Sequence, residues 1–573
     1  MSNKINDAFN NSEIKIKEVD LNHERTLYEK ELRKKNTKAD INLHYDSITE
    51  DKLQSWESQL LESKKNFSNF NDCDILNENC KDHKIIRVIK DDLERTRVLE
   101  SIYMKSFKEY AYQIIIYYLR KNNIQYKQGL NEIVSPFVLL KYKFQLSISK
   151  IYNLLECFID KFLTNFYHED DFYALKSCFP IINLLLKYHD PELYDKFDYC
   201  LITPDLYSTS WIMTLFANKF PLNIIYYLWD KLIVFNDKLF IFFFIVSILI
   251  TNRETYFKVD TTSILHVLSA FEITEIKQIN EIINLAIQLR ENTPKSLDLL
   301  VDKLEIFKFD SKNLQKLYEK FQLDKMPAMP MFVEDIFSVT HEELIGCPDE
   351  NCEYFLKKSK NRINNSNCIF CNVKKTKRKK YYFVIDLRII DEITVSNRLY
   401  NELFSGILPK TFKITNKQLL NENFPMKIIN EFKNEKNKYH FIIITSDTNL
   451  FNEYENKFYV LEKLKNRGED VFYKRYKELN INLINEKFKE KKNKIFFSFK
   501  EYDNFKKLLN GLNKEGFKYV SYAFGGYKQI HRWAIKNNVL LLSHGKQCIL
   551  CREEEEEEEN KMNNSTIKYW QFS

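Results

Sequence analysis

The feature that most restricts this chain's fold is a shortage of backbone breakers combined with a helical apolar period. Its 573 residues include 9 Gly and 11 Pro, where average usage would give roughly 40 and 30. Gly supplies positive φ and Pro supplies kinks, so a chain poor in both favours long uninterrupted helices. Tyr103, Phe107, Tyr110, Ile114 and Tyr117 recur at spacings of four and three, which aligns them on one helical face. The stretches Ile151 to Asp160, Ile181 to Leu186 and Ile224 to Leu232 repeat the theme, and strand-like alternation is scarce. The periodicity predicts an all-α unit over 81–335.

The flanks read differently. Residues 1–80 are polar and irregular, an N-terminal extension expected to be partly disordered; Trp56 and Leu60 to Leu61 are the candidates there for the start of a helix, and the segment on to Asn71 reads as poorly packed. Residues 336–380 form a basic linker that carries Cys347, Cys352, Cys368 and Cys371, then the run KKTKRKK at Lys374 to Lys380. Over 381–552 short apolar strands (Tyr381 to Asp386, Phe441 to Thr445, Lys518 to Tyr522) alternate with helical stretches. That order predicts a parallel sheet with crossover helices. Residues 553–573 are an acidic, then polar tail, expected to be disordered.

Bulk properties exclude several classes. A net charge of +7 is small for this length and no aromatic-rich basic platform accompanies the basic run, so a nucleic-acid partner is not expected. The most apolar stretch, Leu239 to Ile250, is about 12 residues against the roughly 20 that a bilayer span needs, and reads as a buried core helix. The opening segment lacks an apolar signal-type run. The chain is therefore expected to be cytoplasmic, with peripheral membrane association at most and its cysteines reduced or metal-bound.

Two motifs carry chemistry. Ile89 to Thr96 fits I-x-x-D-x-x-R-T through Ile89, Asp92, Arg95 and Thr96, and Tyr126 to Asn131 fits Y-x-Q-G-x-N through Tyr126, Gln128, Gly129 and Asn131. Alone, the first motif is no more than an Asp–Arg pair one helical turn apart, worth a few tenths of a kcal/mol. Together they offer a guanidinium and a side-chain amide. A slow GTPase needs both groups from outside: arginine to neutralise charge on the transferring phosphoryl group, glutamine to orient the attacking water.

These motifs resemble those of the TBC domain, the helical fold that activates Rab GTPases, with Arg95 and Gln128 matching its two catalytic fingers. Thr203 to Phe216, Phe220-Pro221-Leu222 and Leu228-Trp229-Asp230 follow in the family's order. The resemblance covers about 85 to 310. It implies a Rab GTPase partner, with GTP and magnesium held by the Rab and no cofactor here. Asp92 would keep the Arg95 helix in register and Tyr126 would pack behind the glutamine loop. Gly129 would let the backbone approach the nucleotide.

Residues from about 380 to 540 resemble a rhodanese domain through Val384 to Arg388, Phe404 to Pro409 and Tyr519 to Tyr527. Sulfur transfer needs a cysteine nucleophile in the loop after the 441–445 strand. That loop reads Ser446-Asp447-Thr448-Asn449, and no cysteine lies between Cys371 and Cys548, so an inert module is expected. A TBC domain followed by such a module, and the stretch His189 to Trp211, are similar to Golgi tethering members of the family. That likeness implies a golgin or other Golgi tether as partner, and a place on Golgi or endosomal membranes. Finally, Cys368-x-x-Cys371 and Cys548-x-x-Cys551 have the spacing of zinc ligands. They are candidates for one structural Cys₄ site closing the module. A local set of Cys347, Cys352, Cys368 and Cys371, or free thiols on a polar linker, are the alternatives, and His544 is a spare ligand. The fold class expected is thus multidomain, an all-α TBC-like domain followed by an α/β rhodanese-like domain with a candidate zinc site.

Overall fold

The structure, a computed structural model, describes residues 48–62, 64, 83–97, 106–340 apart from 170 and 310, 381–388, 405–407, 411–414, 416–419, 423–436, 439–448, 492–539, 541–544, 548, 550–552 and 554–555. It divides into two compact units. The first gathers Met1–Leu185, Lys196–Arg290 and Leu300–Leu323, and the second Leu186–Asp195, Glu291–Leu299 and Asp324–Ser573.

The first unit is helical. It begins earlier than the periodicity implied, at α1 (Glu50–Leu61). Thr49 caps this helix by accepting the Lys52 N–H at 3.4 Å. Leu53, Trp56 and Leu60 lie three and four apart and are all buried. Trp56 is 0% exposed, and its indole N–H donates to Asp230 Oδ1 at 3.0 Å. The helix allowed for at Trp56 and Leu60 is thus present and packed through both residues. Three apolar residues are too few to declare a period, yet enough to seat one helix. Asp230 belongs to α6 (Leu222–Phe235), after α2 (His83–Arg95), α3 (Phe107–Asn122), α4 (Leu130–Phe144) and α5 (Ile148–Phe162). Trp229, its neighbour, centres the core: its ring lies 5.6 Å from Phe137 and 4.7 Å from Phe158. Its N–H donates to Leu215 O at 3.0 Å, since a buried indole needs an acceptor. Replacing Trp56 with Phe keeps an aromatic ring but shrinks it and strips a donor from buried Asp230, and is expected to cost at least about 1–3 kcal/mol, read from urea unfolding.

In α3 the apolar stripe is only part of the buried surface. Phe107 and Ile114 are buried, but so are Ile115, Ile116 and Tyr118, which marks a helix packed on several sides. The Leu239 to Ile250 run becomes α7 (Phe240–Thr251), buried from Phe240 to Leu249. Among the described residues no helix is long and apolar enough to cross a membrane.

The second unit holds a five-stranded sheet of order β1-β6-β5-β2-β4. Its strands are β1 (Met329–Met331), β2 (Tyr381–Asp386), β4 (Phe412–Lys413), β5 (Tyr439–Ile444) and β6 (Val520–Ala523), every pairing parallel. A separate antiparallel pair joins β3 (Ser405–Ile407) to β7 (Leu542–His544). Alternation sorts the side chains. Ile385, Phe441, Ile443 and Tyr522 pack with Ile428 of α9 (Phe424–Phe432) and with Phe505 and Leu509 of α10 (Lys492–Lys514). Val384, Ile442, Ile444 and Ala523 pack with Ile336 of α8 (Val333–Thr340) and with Tyr527 and Ile530 of α11 (Gly526–Lys536). Helices thus cover both sheet faces, as parallel strands require. Strand β1 lies within the span that periodicity assigns to the helical unit. It reads Met-Pro-Met, and its place at the sheet edge is where a proline is tolerated.

Candidate functional site

The two motifs of the helical unit meet through one hydrogen-bond network. Arg95 is the last residue of α2, and Gln128 precedes Gly129, the N-cap of α4. Ile89 and Leu93 are buried and hold the inner face of α2. Asp92 is buried too, and accepts from Arg95 Nη2 at 2.7 Å and from Tyr126 Oη at 2.9 Å. Tyr126 also reaches Asn131 Oδ1 at 3.1 Å, the same oxygen that accepts the Gly129 N–H at 3.0 Å. The Asn131 amide then donates to Thr96 Oγ1 at 2.7 Å, and Thr96 donates to Asp92 O at 2.8 Å. Thr96 is 0% exposed. Every motif position other than the two fingers is therefore turned inward or bonded to another. The Arg95 side chain is 72% exposed, and Gln128 is exposed as well.

Burial, then the bonded Asp92 carboxylate, raises the Tyr126 phenol well above its ordinary value, so it remains a donor. Arg95 spends one N–H on Asp92, leaving most of its five donors free of that contact.

A third motif braces the second. Gly129 sits at φ +106°, and a Cβ there would meet Thr214 Cγ2 at 3.3 Å and Tyr167 Oη at 3.7 Å. Tyr167 in turn donates to Met213 O at 2.5 Å. The Ile212 to Phe216 segment thus backs the glutamine loop, with Trp211 stacked on Phe216 at 5.4 Å. Close approach explains Gly129, but the neighbour is Thr214 of this chain. Gly129→Ala places a side chain at a left-handed φ against Thr214, and is expected to cost about 1–3 kcal/mol, measured by thermal unfolding with finger activity followed in parallel.

The second unit contains a different cluster. His531 of α11, His544 at the end of β7, Cys548 and Cys551 bring one ligand atom each to within 4.8 Å of one another. Their Nε2 atoms are 3.1 Å apart, and Cys548 Sγ lies 3.2 Å from His531 Nε2. Cys551 Sγ is 3.6 Å from both rings. Burial, then His544, Arg388 and Arg532, pushes His531 down to about 4. Burial, then Cys548, pushes the Cys551 thiol up. A His/Cys cluster able to coordinate a metal ion is therefore present. It is His₂Cys₂ where a Cys₄ set was expected. Cys347, Cys352, Cys368 and Cys371, with the basic run, lie outside the described residues. His531 was the residue missed. It stands on a helix four positions after buried Tyr527, the setting of an ordinary core histidine. The His544-x₃-Cys548-x₂-Cys551 spacing was visible in the sequence.

The α/β unit's other candidate, the segment 445–448 after β5, is bonded to α10 and to the start of α11. Ser446 donates its N–H and its hydroxyl to Glu501 at 2.8 and 2.9 Å. The Tyr527 and Lys528 amides at the start of α11 donate to Thr445 O and Ser446 O at 2.7 and 3.0 Å.

The helical unit presents an arginine and a glutamine from one bonded scaffold, and comparison with known proteins finds likenesses over the same region. The Rab-GTPase-TBC domain family model matches residues 14–257, so over that span the chain is similar to the TBC/Rab-GAP family. The human TBC domain-containing protein kinase-like protein is 31% identical over 115 residues, 20% of this chain and 12% of that protein. Its Dictyostelium discoideum counterpart is 28% identical over 211 residues, 36% of this chain and 19% of that one. The chain thus spans less than a fifth of these curated relatives' own lengths. Among solved structures, the Ypt/Rab-GAP domain of Gyp1p is 16% identical, covering 49% of this chain and 99% of that one, with a TM-score of 0.36.

Proposed function

We propose that the helical unit is a GTPase-activating domain for a Rab GTPase in vesicle traffic, supplying Arg95 and Gln128 in trans. The observation that carries this reading is the network through Asp92, Tyr126, Asn131 and Thr96. It spends every polar group of the two motifs on positioning and leaves the two finger side chains outward. In the loose phosphoryl-transfer transition state, negative charge spreads over the γ-phosphoryl and bridging oxygens. A planar multi-donor cation placed there is worth more than it is in the ground state. Gln128 orients water through its amide carbonyl. GTP and magnesium come with the Rab. The family match supports this reading, and single-turnover GTP hydrolysis across a panel of Rab proteins tests it. Gln128→Ala is expected to lower the stimulated rate by about 10²-fold, the scale of losing one positioned transition-state group.

A second reading is a non-catalytic tether at Golgi or endosomal membranes, similar to TBC domain family member 23, binding a golgin or another protein through the TBC surface. The His189 to Trp211 stretch and the bonded 445–448 segment of the α/β unit favour it. We read that unit as a rhodanese-like module without sulfurtransferase activity, because position 446 is serine and Glu501 takes the loop's Ser446 amide. Rab binding without acceleration by wild-type protein would favour the tether.

A further inference from the structure

We propose that Nε2 of His531, Nε2 of His544 and the thiolates of Cys548 and Cys551 bind one zinc ion, which fastens the 541–555 segment to α11. Glu554 is the outer hydrogen-bond partner in this site.

Three observations carry it. The first is size. Zinc bonds of about 2.05 Å to nitrogen and 2.3 Å to sulfur, set tetrahedrally, put two nitrogens about 3.3 Å apart and a nitrogen about 3.6 Å from a sulfur. The separations of 3.1 Å between the nitrogens and 3.2 to 3.6 Å from nitrogen to sulfur fall at those edges. The second is the orientation of His531. Its Nε2 faces the other three donors, and its opposite nitrogen, Nδ1, lies 3.4 Å from Glu554 Oε1. Metal-bound histidines recurrently donate their second N–H to a carboxylate, which fixes the tautomer and aims the ligating nitrogen. The acidic run thus enters the site at Glu554, a role its reading as a solvated tail did not foresee. The third is charge and burial. His531 is 0% and Cys548 1% exposed. His544 and Cys551 reach the surface, so the centre is buried on one side, and two thiolates offset the charge of one divalent ion, with two thiol protons released to solvent on binding. Two nitrogens and two sulfurs in tetrahedral array select zinc, with iron as the competitor.

The placement says what the ion does. His531 comes from a helix packed on the sheet, whereas the other three ligands come from β7 and the short stretch after it. Strand β7 has a single partner strand, β3, with Ser405 opposite His544 and Ile407 opposite Leu542. The ion ties β7, Cys548 and Cys551 to the helix that carries His531. It is a structural centre, since all four positions belong to the protein.

The test uses the full chain, purified without chelator or a histidine tag. Metal analysis is expected to find one zinc per chain, lost in Cys551→Ser and in His544→Ala and kept in Cys368→Ser. Cobalt loading is expected to give thiolate-to-metal charge-transfer absorption that weakens in Cys551→Ser. If the ligand variants fail to fold, Glu554→Gln keeps all four ligands and is expected to lower zinc affinity about 10–100-fold in chelator competition. No zinc above trace, iron in its place, or zinc unchanged in Cys551→Ser overturns the proposal. Unchanged affinity in Glu554→Gln removes the outer partner.

Discussion

Arg95→Ala is expected to lower Rab-stimulated GTP hydrolysis by about 10³- to 10⁵-fold, or about 4–7 kcal/mol of transition-state stabilisation, with Rab affinity little changed. The separation of rate from affinity follows from where the charge is needed. In the ground state the arginine already has a partner in Asp92 at 2.7 Å, and its side chain is mostly in solvent. On the proposed reading its largest interaction arises only as charge builds on the transferring phosphoryl group, so its loss falls on kcat rather than on binding. Arg95→Lys keeps the charge but not the planar fork, and is expected to fall between the two. Single-turnover hydrolysis beside equilibrium binding to the GTP-loaded Rab checks both statements.

The second large effect lies in the α/β unit. Asp386→Ala is expected to cost about 3–5 kcal/mol, measured by urea unfolding with Trp533 fluorescence as the local probe. Asp386 and Arg388 form a pair with side chains 2% and 5% exposed, joined by contacts of 2.7, 3.0 and 3.1 Å. The guanidinium also stands 3.4 Å above the Tyr527 ring. Removing the carboxylate leaves a cation in a site without water to solvate it. The double change Asp386→Leu with Arg388→Met removes both charges, and is expected to cost less than Asp386→Ala alone.

What the sequence disclosed and what it hid follow the range of the interactions. The helical unit was legible because its signal is local and periodic, and the two motifs stood out because each spans six to eight adjacent residues, though not the hydrogen bonds that join them. The helix at Trp56 was legible as a candidate, but its anchoring was not, because the acceptor, Asp230, lies 174 positions away. Strand β1 was hidden because three residues carry no alternation and its proline argues against a strand unless the edge position is known. The role of Gly129 was half legible: the glycine signalled a close approach, but not that Thr214 is what it approaches. His531 was missed because one buried histidine on an apolar helix face has no distinguishing pattern until the fold delivers two sulfurs and a second ring to it.

The most direct test of the catalytic reading is binding to a transition-state mimic, a Rab loaded with GDP and aluminium fluoride. The wild-type chain is expected to bind that species much more tightly than the GTP-loaded Rab, and Arg95→Ala is expected to abolish the difference. Equal affinity of wild type for both species, or a preference that survives Arg95→Ala, would contradict a guanidinium and an amide lent to the partner's phosphate chemistry.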